Sequence, residues 1–406
     1  MKATMAVLCA SVVLSAQPPE TSAWEEATPE SQGMDSTELV KLLHYINQQG
    51  KALDSLLIIR HGHLILELYY PPYTRDKEHI VNSVTKSFIS ALIGIAIEQG
   101  YVSSDRSSLL DWFPGVADSN KYPGKASIQI RDLLTMNSGI DWPQYGPNNV
   151  SDEMGRSPNW VQFILNRPMA AKPGSQSNYS NGDAHLLSAI IQRATGEDSL
   201  EFGWEHFFQP LGIPRPKWFR DPQGINIGSA TIYLPPREMA KLGYLYLHHG
   251  AWEGSQIVPA GWVNASLERH TGIQTSAGLV DYGYYWWLHP KLGMSEAWGG
   301  AGQRIAIFRN LDMVTVMTAD ISDDAPVTSF STEIYRQILR AARAQSALSE
   351  NIRSLDELRG LVRSAAAARP RPERGSWPIT AAGIVVCFGI TWLVMRRRKI
   401  AREVRV

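Results

Sequence analysis

Ser83 and Lys86 stand three residues apart at the start of an apolar run, SVTKSFISALIGIAIEQ, which is closed by Gly100. The spacing predicts a helix from about Ser83 to Gln99, and an i, i+3 pair on it shares one face. A serine hydroxyl is a weak nucleophile until an adjacent base takes its proton. A lysine can be that base when burial disfavours its ammonium form. Ile89, Leu92 and Ile93 offer such an apolar setting. The helix N-terminus adds unpaired backbone N–H groups beside the serine. Taken alone, the pair sooner describes an N-capping serine and a solvated lysine.

Two further patterns bear on the same chemistry. Tyr179-Ser180-Asn181 follows the turn Lys172-Pro173-Gly174 and precedes an apolar helix expected from Ala184 to Thr195. A tyrosine relays a proton when a nearby ammonium lowers its pKa. An asparagine donates to a substrate carbonyl and accepts from a lysine. The same residues also fit an ordinary turn into a helix. Trp298-Gly299-Gly300-Ala301-Gly302-Gln303 then leads into a strand. A glycine-rich strand edge admits a substrate backbone and exposes N–H groups. One of these with the N–H of Ser83 would make an oxyanion hole, although a glycine bulge explains the segment as well.

Other residues carry less. His61 and His63 bracket a hairpin glycine and lack a third metal ligand. His248 and His249 sit at a helix end, where they favour its dipole. Tyr284, Tyr285, Trp286, Trp287 and Trp298 crowd the third pattern, as core or as lining of a cleft that Asp141-Trp142 would also border.

These residues must be positioned by a larger body. Leu56 to Tyr70 reads as a β-hairpin around Arg60-His61-Gly62-His63. Helices are expected at Ser127 to Met136, Pro236 to His248 and Thr332 to Ala344. Late strands are expected at Tyr284 to His289, Gln303 to Arg309 and Met313 to Ala319. Strands at both ends and helices in the middle predict an α+β domain. Its antiparallel sheet would join early and late strands around a mainly helical insertion.

The three patterns, in this order, resemble the class C β-lactamase and penicillin-recognising serine hydrolase family. That family includes D-Ala-D-Ala carboxypeptidases, esterases and 6-aminohexanoate-oligomer hydrolases. The flanks IQIRDLLTMNSGI, KPGSQSNYSNGDAHLLSAIIQRATG and MAKLGYLYLHHGAWEGSQIVPAGWV are similar too, and the similarity runs from about Trp24 to Ala344. The resemblance implies a β-lactamase/transpeptidase-like fold with Ser83 as acylated nucleophile, Lys86 as its base or base-tuner and Tyr179 as proton shuttle to the leaving group. Asn181 would hold the substrate amide. The N–H groups of Ser83 and Gly300, with Gly299 in the strand motif, would form the oxyanion hole. The sequence departs from the family where Ala297 replaces a lysine or histidine that helps orient the tyrosine and binds substrate carboxylates. That loss speaks against β-lactamase or carboxypeptidase activity and leaves an ester, amide or peptide of small size as substrate. The alternative is a non-catalytic or weakly catalytic protein that binds penicillin or cell-wall peptides. No cofactor or metal is implied.

The 406 residues carry a formal net charge of +0, which gives no reason to expect a nucleic-acid partner. Both cysteines, Cys9 and Cys387, fall in hydrophobic end segments, so neither disulfides nor cysteine-bound metals are expected in the body. Lys2 and the apolar run Met5 to Leu14 read as a signal peptide, residues 1–16. The hydrolase-like domain spans residues 24–345, followed by a stalk or linker, 346–376, with a helix-forming SLDELRGLVRSAAAA and a Pro-rich RPRPERGSWP. Residues 377–395 are uncharged, long enough to span a membrane and tryptophan-flanked. The tail 396–406, opening Arg396-Arg397-Arg398-Lys399, would then be cytoplasmic and the domain outside it.

Overall fold

A computed structural model describes residues 24–50, 53–114, 124–145, 149–321 and 329–370. Its strands are β1 (Glu25–Glu26), β2 (Leu53–Arg60), β3 (His63–Tyr69), β4 (His79–Ile80), β5 (Lys217–Trp218), β6 (Ile232–Leu234), β7 (Ala251–Trp252), β8 (Ser255–Gln256), β9 (Thr271–Thr275), β10 (Gly278–Tyr282), β11 (Trp287–His289), β12 (Met294–Gly299), β13 (Gln303–Phe308) and β14 (Met313–Ala319). Its α-helices are α1 (Ser36–Gln49), α2 (Thr85–Glu98), α3 (Ile130–Leu134), α4 (Val150–Arg156), α5 (Trp160–Asn166), α6 (Asn181–Thr195), α7 (Ser199–Gly203), α8 (Pro236–Leu247), α9 (Ala260–Ser266), α10 (Ser329–Ala341) and α11 (Ile352–Ala366).

Every residue of β2, β13 and β14 is buried, as expected of strands covered on both faces. They lie centrally in a nine-stranded sheet of order β1-β3-β2-β14-β13-β12-β11-β10-β9. All its pairings are antiparallel except the short β1–β3 pair. The β2–β14 pairing joins the early hairpin to the late strands, for example Leu57 opposite Val316. Alternation along β2 then divides the core: Leu57 and Ile59 join one apolar cluster, Leu56 and Ile58 another. The second cluster is covered by α1 and α10. The first is covered by α8, whose Gly243 lets Val314 and Ile305 approach to where a Cβ would sit 2.6 and 2.7 Å away. Helices α2 to α7 pack together, chiefly α2, α3 and α5 around α6, between the early and late strands. The expected α+β arrangement with a helical insertion is the one observed.

Boundaries moved for local reasons. The helix expected from Ser83 opens as a 3₁₀ turn, Asn82–Val84, before α2. The helix expected from Ser127 shrinks to α3, fixed at its start by Gln129 N–H donating to Asp132 Oδ2 and ended by Met136 at φ 59°. The strand expected from Tyr284 begins at Trp287 because Tyr285 is left-handed, φ 65°. His61 is likewise left-handed at the hairpin turn.

The helix expected within residues 346–376 is α11, whose Leu355, Leu358 and Ala365 are buried and which packs on α1 and β3. Among the described residues no helix is long and apolar enough to cross a membrane. The expected signal peptide at 1–16, transmembrane helix at 377–395 and basic tail at 396–406 lie outside the described residues.

Candidate active site

Strand β4 delivers the chain to the Asn82–Val84 turn. Asn82 is left-handed, φ 47°, a conformation asparagine tolerates better than most residues. Its Nδ2 donates to the Gly300 carbonyl at 2.7 Å, tying the turn to the end of β12. No side chain caps α2, so Ser83 is not spent as a cap. Its Oγ lies 3.0 Å from Lys86 Nζ, one helical turn on, and both residues are buried.

Lys86 Nζ also donates to Asn181 Oδ1 at 2.8 Å and to the Ser229 carbonyl at 2.9 Å. Burial pushes its pKa well below the ordinary lysine value. These partners suit a neutral amine. Two carbonyl oxygens can only accept, so they take its two N–H groups, and its lone pair is left for the Ser83 hydroxyl. The cluster can thus hold a base against a nucleophile.

Tyr179 lies in the loop before α6. The Ser180 side chain caps that helix by accepting from Asp183 N–H at 3.0 Å. This cap extends α6 back to Asn181, three residues earlier than the apolar pattern expects. Tyr179 is hydrogen-bonded to Ser83, its ring lies 5.0 Å from Lys86 Nζ, and burial drives its pKa upward. The phenol is therefore held protonated, suited to giving a proton rather than taking one. Asn181 is anchored three ways: Oδ1 by Lys86, Nδ2 donating to Ser151 Oγ at 3.2 Å, and its N–H donating to Gln144 Oε1 at 3.0 Å. Gln144 Oε1 also accepts from Trp142 Nε1 at 2.8 Å.

At the end of β12, a Cβ on Gly299 would lie 2.3 Å from the Val81 carbonyl and 3.1 Å from Ser83 N. Only glycine lets this strand approach the Ser83 turn so closely. Gly300 has open space where a side chain would be. Ser83, Lys86, Tyr179, Asn181, Gly299 and Gly300 therefore meet in one place. Ala297 is fully buried opposite Ile305, and Arg304 on the next strand donates to buried Glu296 at 3.0 Å.

The aromatic cluster divides. Trp287 stacks on Tyr179, 5.8 Å between centroids, and Trp298 meets Trp287 edge-on at 6.0 Å. Trp286 is core against Tyr246, Tyr285 donates to the Leu133 carbonyl and Tyr284 to Asp105. Trp142 supports the start of α6, where a Cβ on Gly182 would come 2.7 Å from its ring, and Asp141 pairs with Arg167. Sequence reading missed the Ser229 carbonyl, Ser151 and Gln144. The first is a backbone atom of an irregular loop and leaves no residue-type signal. The other two have common polar types with no diagnostic spacing.

An antiparallel sheet whose glycine edge meets a Ser–Lys–Tyr cluster on a helical insertion defines an α+β hydrolase architecture. The chain belongs to the Beta-lactamase family, whose profile matches residues 33–338. It is similar to the 6-aminohexanoate-dimer hydrolase of Paenarthrobacter ureafaciens, 23% identical over 66% of this chain and 73% of that protein. An Escherichia coli protein named for D-alanyl-D-alanine carboxypeptidase activity is 26% identical over 46% of this chain, which spans 49% of that protein. A solved Bacillus anthracis structure named for 6-aminohexanoate-dimer hydrolysis superposes with a TM-score of 0.63 at 19% identity, covering 80% of this chain and 87% of that one.

Proposed function

We propose that the protein is an exported, membrane-anchored serine hydrolase that cleaves a small ester, amide or peptide through an acyl-enzyme on Ser83. The observation that carries this reading is the buried Lys86 Nζ, 3.0 Å from Ser83 Oγ, with two carbonyl oxygens for its N–H groups. Lys86 takes the hydroxyl proton as Ser83 Oγ attacks the substrate carbonyl. The backbone N–H groups of Ser83 and Gly300 receive the oxyanion. Tyr179 gives its proton to the leaving group as the tetrahedral intermediate collapses, and the proton that Lys86 took from Ser83 then restores the phenol. Water, deprotonated at Lys86, then attacks the acyl carbonyl, and Ser83 leaves with its proton restored.

The D-alanyl-D-alanine and 6-aminohexanoate names of the relatives support an amide or peptide as one candidate class, and buried Ala297 favours substrates without a carboxylate at that point. Export and anchoring are supported by the apolar runs Met5 to Leu14 and 377–395 and the basic residues that follow the second. A purely binding role is disfavoured, since it needs no base held against a serine hydroxyl. A fluorophosphonate probe should label the intact protein once, at Ser83, and not the Ser83→Ala variant. Equal labelling of both ends this reading.

A further inference from the structure

Tyr179, the residue assigned to protonate the leaving group, stacks with two rings. Tyr145 lies 6.3 Å away with an interplanar angle of 19°, and Trp287 5.8 Å away at 23°. Tyr282 and Trp298 hold the Trp287 ring edge-on, at 4.7 and 6.0 Å. Trp287 and Trp298 are buried, whereas Tyr145 is 64% exposed. A large ring exposed to water yet stacked on a buried site residue presents a face to whatever leaves through that side.

The charge environment narrows the guest. Among the described residues, the basic groups recorded over these rings are Lys86 and Arg304. Lys86 is committed to Ser83, Asn181 and the Ser229 carbonyl, and Arg304 to Glu296. Ala297 adds only a methyl group. Among the described residues neither of these basic groups is left for a carboxylate, which would lose hydration at a cost, while an uncharged ring would lose little and gain stacking.

We propose that Tyr145, Tyr179 and Trp287 form a leaving-group subsite for an uncharged aromatic group, with Tyr145 the residue that sets the preference. The inference rests on the Ser83 reading above and adds the substrate class to it.

Acetate esters share one acyl group, so varying the alcohol isolates this subsite. With the full-length protein, kcat/KM is compared for ethyl, phenyl and 2-naphthyl acetate, and for 4-acetoxybenzoate against its uncharged methyl ester. Tyr145→Ala is expected to lower kcat/KM for 2-naphthyl acetate about five- to tenfold, mainly through KM, and for ethyl acetate less than about twofold. Tyr145→Phe, which keeps the ring, recovers the selectivity. The wild type prefers the uncharged methyl ester over the carboxylate by about tenfold or more. Equal loss across all esters, no loss for any, or equal use of charged and uncharged partners overturns the proposal. So does a wild type that turns over no aryl acetate. Fluorophosphonate labelling of Ser83 then shows separately whether the nucleophile assignment stands.

Discussion

Replacing Asn181 by aspartate exchanges an amide nitrogen for oxygen and sets a carboxylate oxygen 2.8 Å from Lys86 Nζ. The second oxygen can accept from Ser151 Oγ, so the local geometry has a route to persist. Burial penalises the Lys86 charge in the wild type and pushes its pKa well below the ordinary lysine value. At an effective dielectric of about 20, a unit charge at that separation favours the ammonium by about 6 kcal/mol, or roughly four pH units. Desolvating the new carboxylate offsets part of this, which leaves an expected upward shift of about two to four units. The lysine must lose its proton to act, so Asn181→Asp should acylate about a hundredfold or more slowly at neutral pH and speed up about tenfold per unit of rising pH. The rate of fluorophosphonate modification of Ser83, followed by mass shift from about pH 5 to about pH 11, reads this step without a known substrate. Thermal melts report whether the variant folds. A folded Asn181→Asp protein whose acid limb coincides with the wild type within about half a unit would refute Lys86 as the proton acceptor.

Lys86→Met should abolish labelling yet raise the melting temperature. The folded lysine pKa lies below the unfolded one, so its stability contribution is lost as pH falls, and the gain should grow as pH falls below about 10. Asp183 accepts from Ser138 and Ser180, and burial raises its pKa to about 7. Its contribution is present below the unfolded carboxyl pKa and lost as pH rises through 7. Asp183→Asn should therefore stabilise at alkaline pH, by on the order of 4 kcal/mol at most, with the difference in melts vanishing near pH 4. Gly94→Ala puts a Cβ 2.4 Å from Trp262 Cγ and should cost about 1–3 kcal/mol in urea unfolding while the labelling rate of the folded protein is retained.

Much of this was legible in the sequence. The bounds of β14 match the expected strand, because an apolar run bounded by turn residues has few other solutions. Ser83, Lys86, Tyr179 and Asn181 were legible through their joint order along the chain, since each pattern alone fits a helix cap or a turn as well. What stayed hidden depends on tertiary contact. The third partner of Lys86 is a carbonyl from a loop far along the chain, and Asn181 owes its pose to Gln144 and Ser151. The aromatic cluster could not be sorted by type. Trp286 and Trp287 are neighbours, yet the left-handed Tyr285 starts the strand so that one indole enters the core and the other reaches Tyr179.

The β2–β14 pairing also sets an order of events during synthesis. Strand β2 is buried on both faces, but the partner that closes its flank opposite β3 begins only at Met313. Until that residue emerges, Leu56 to Ile59 form a two-sided apolar ribbon with an open edge, the kind of segment that pairs with other chains. The helix insertion can settle early, since its contacts are more local, whereas sheet closure carries a high contact order and a slow rate. Chains truncated before β14 should therefore aggregate rather than yield a smaller folded unit. The protein's most exposed moment is not at its surface loops but in the interval between making the two halves of its sheet.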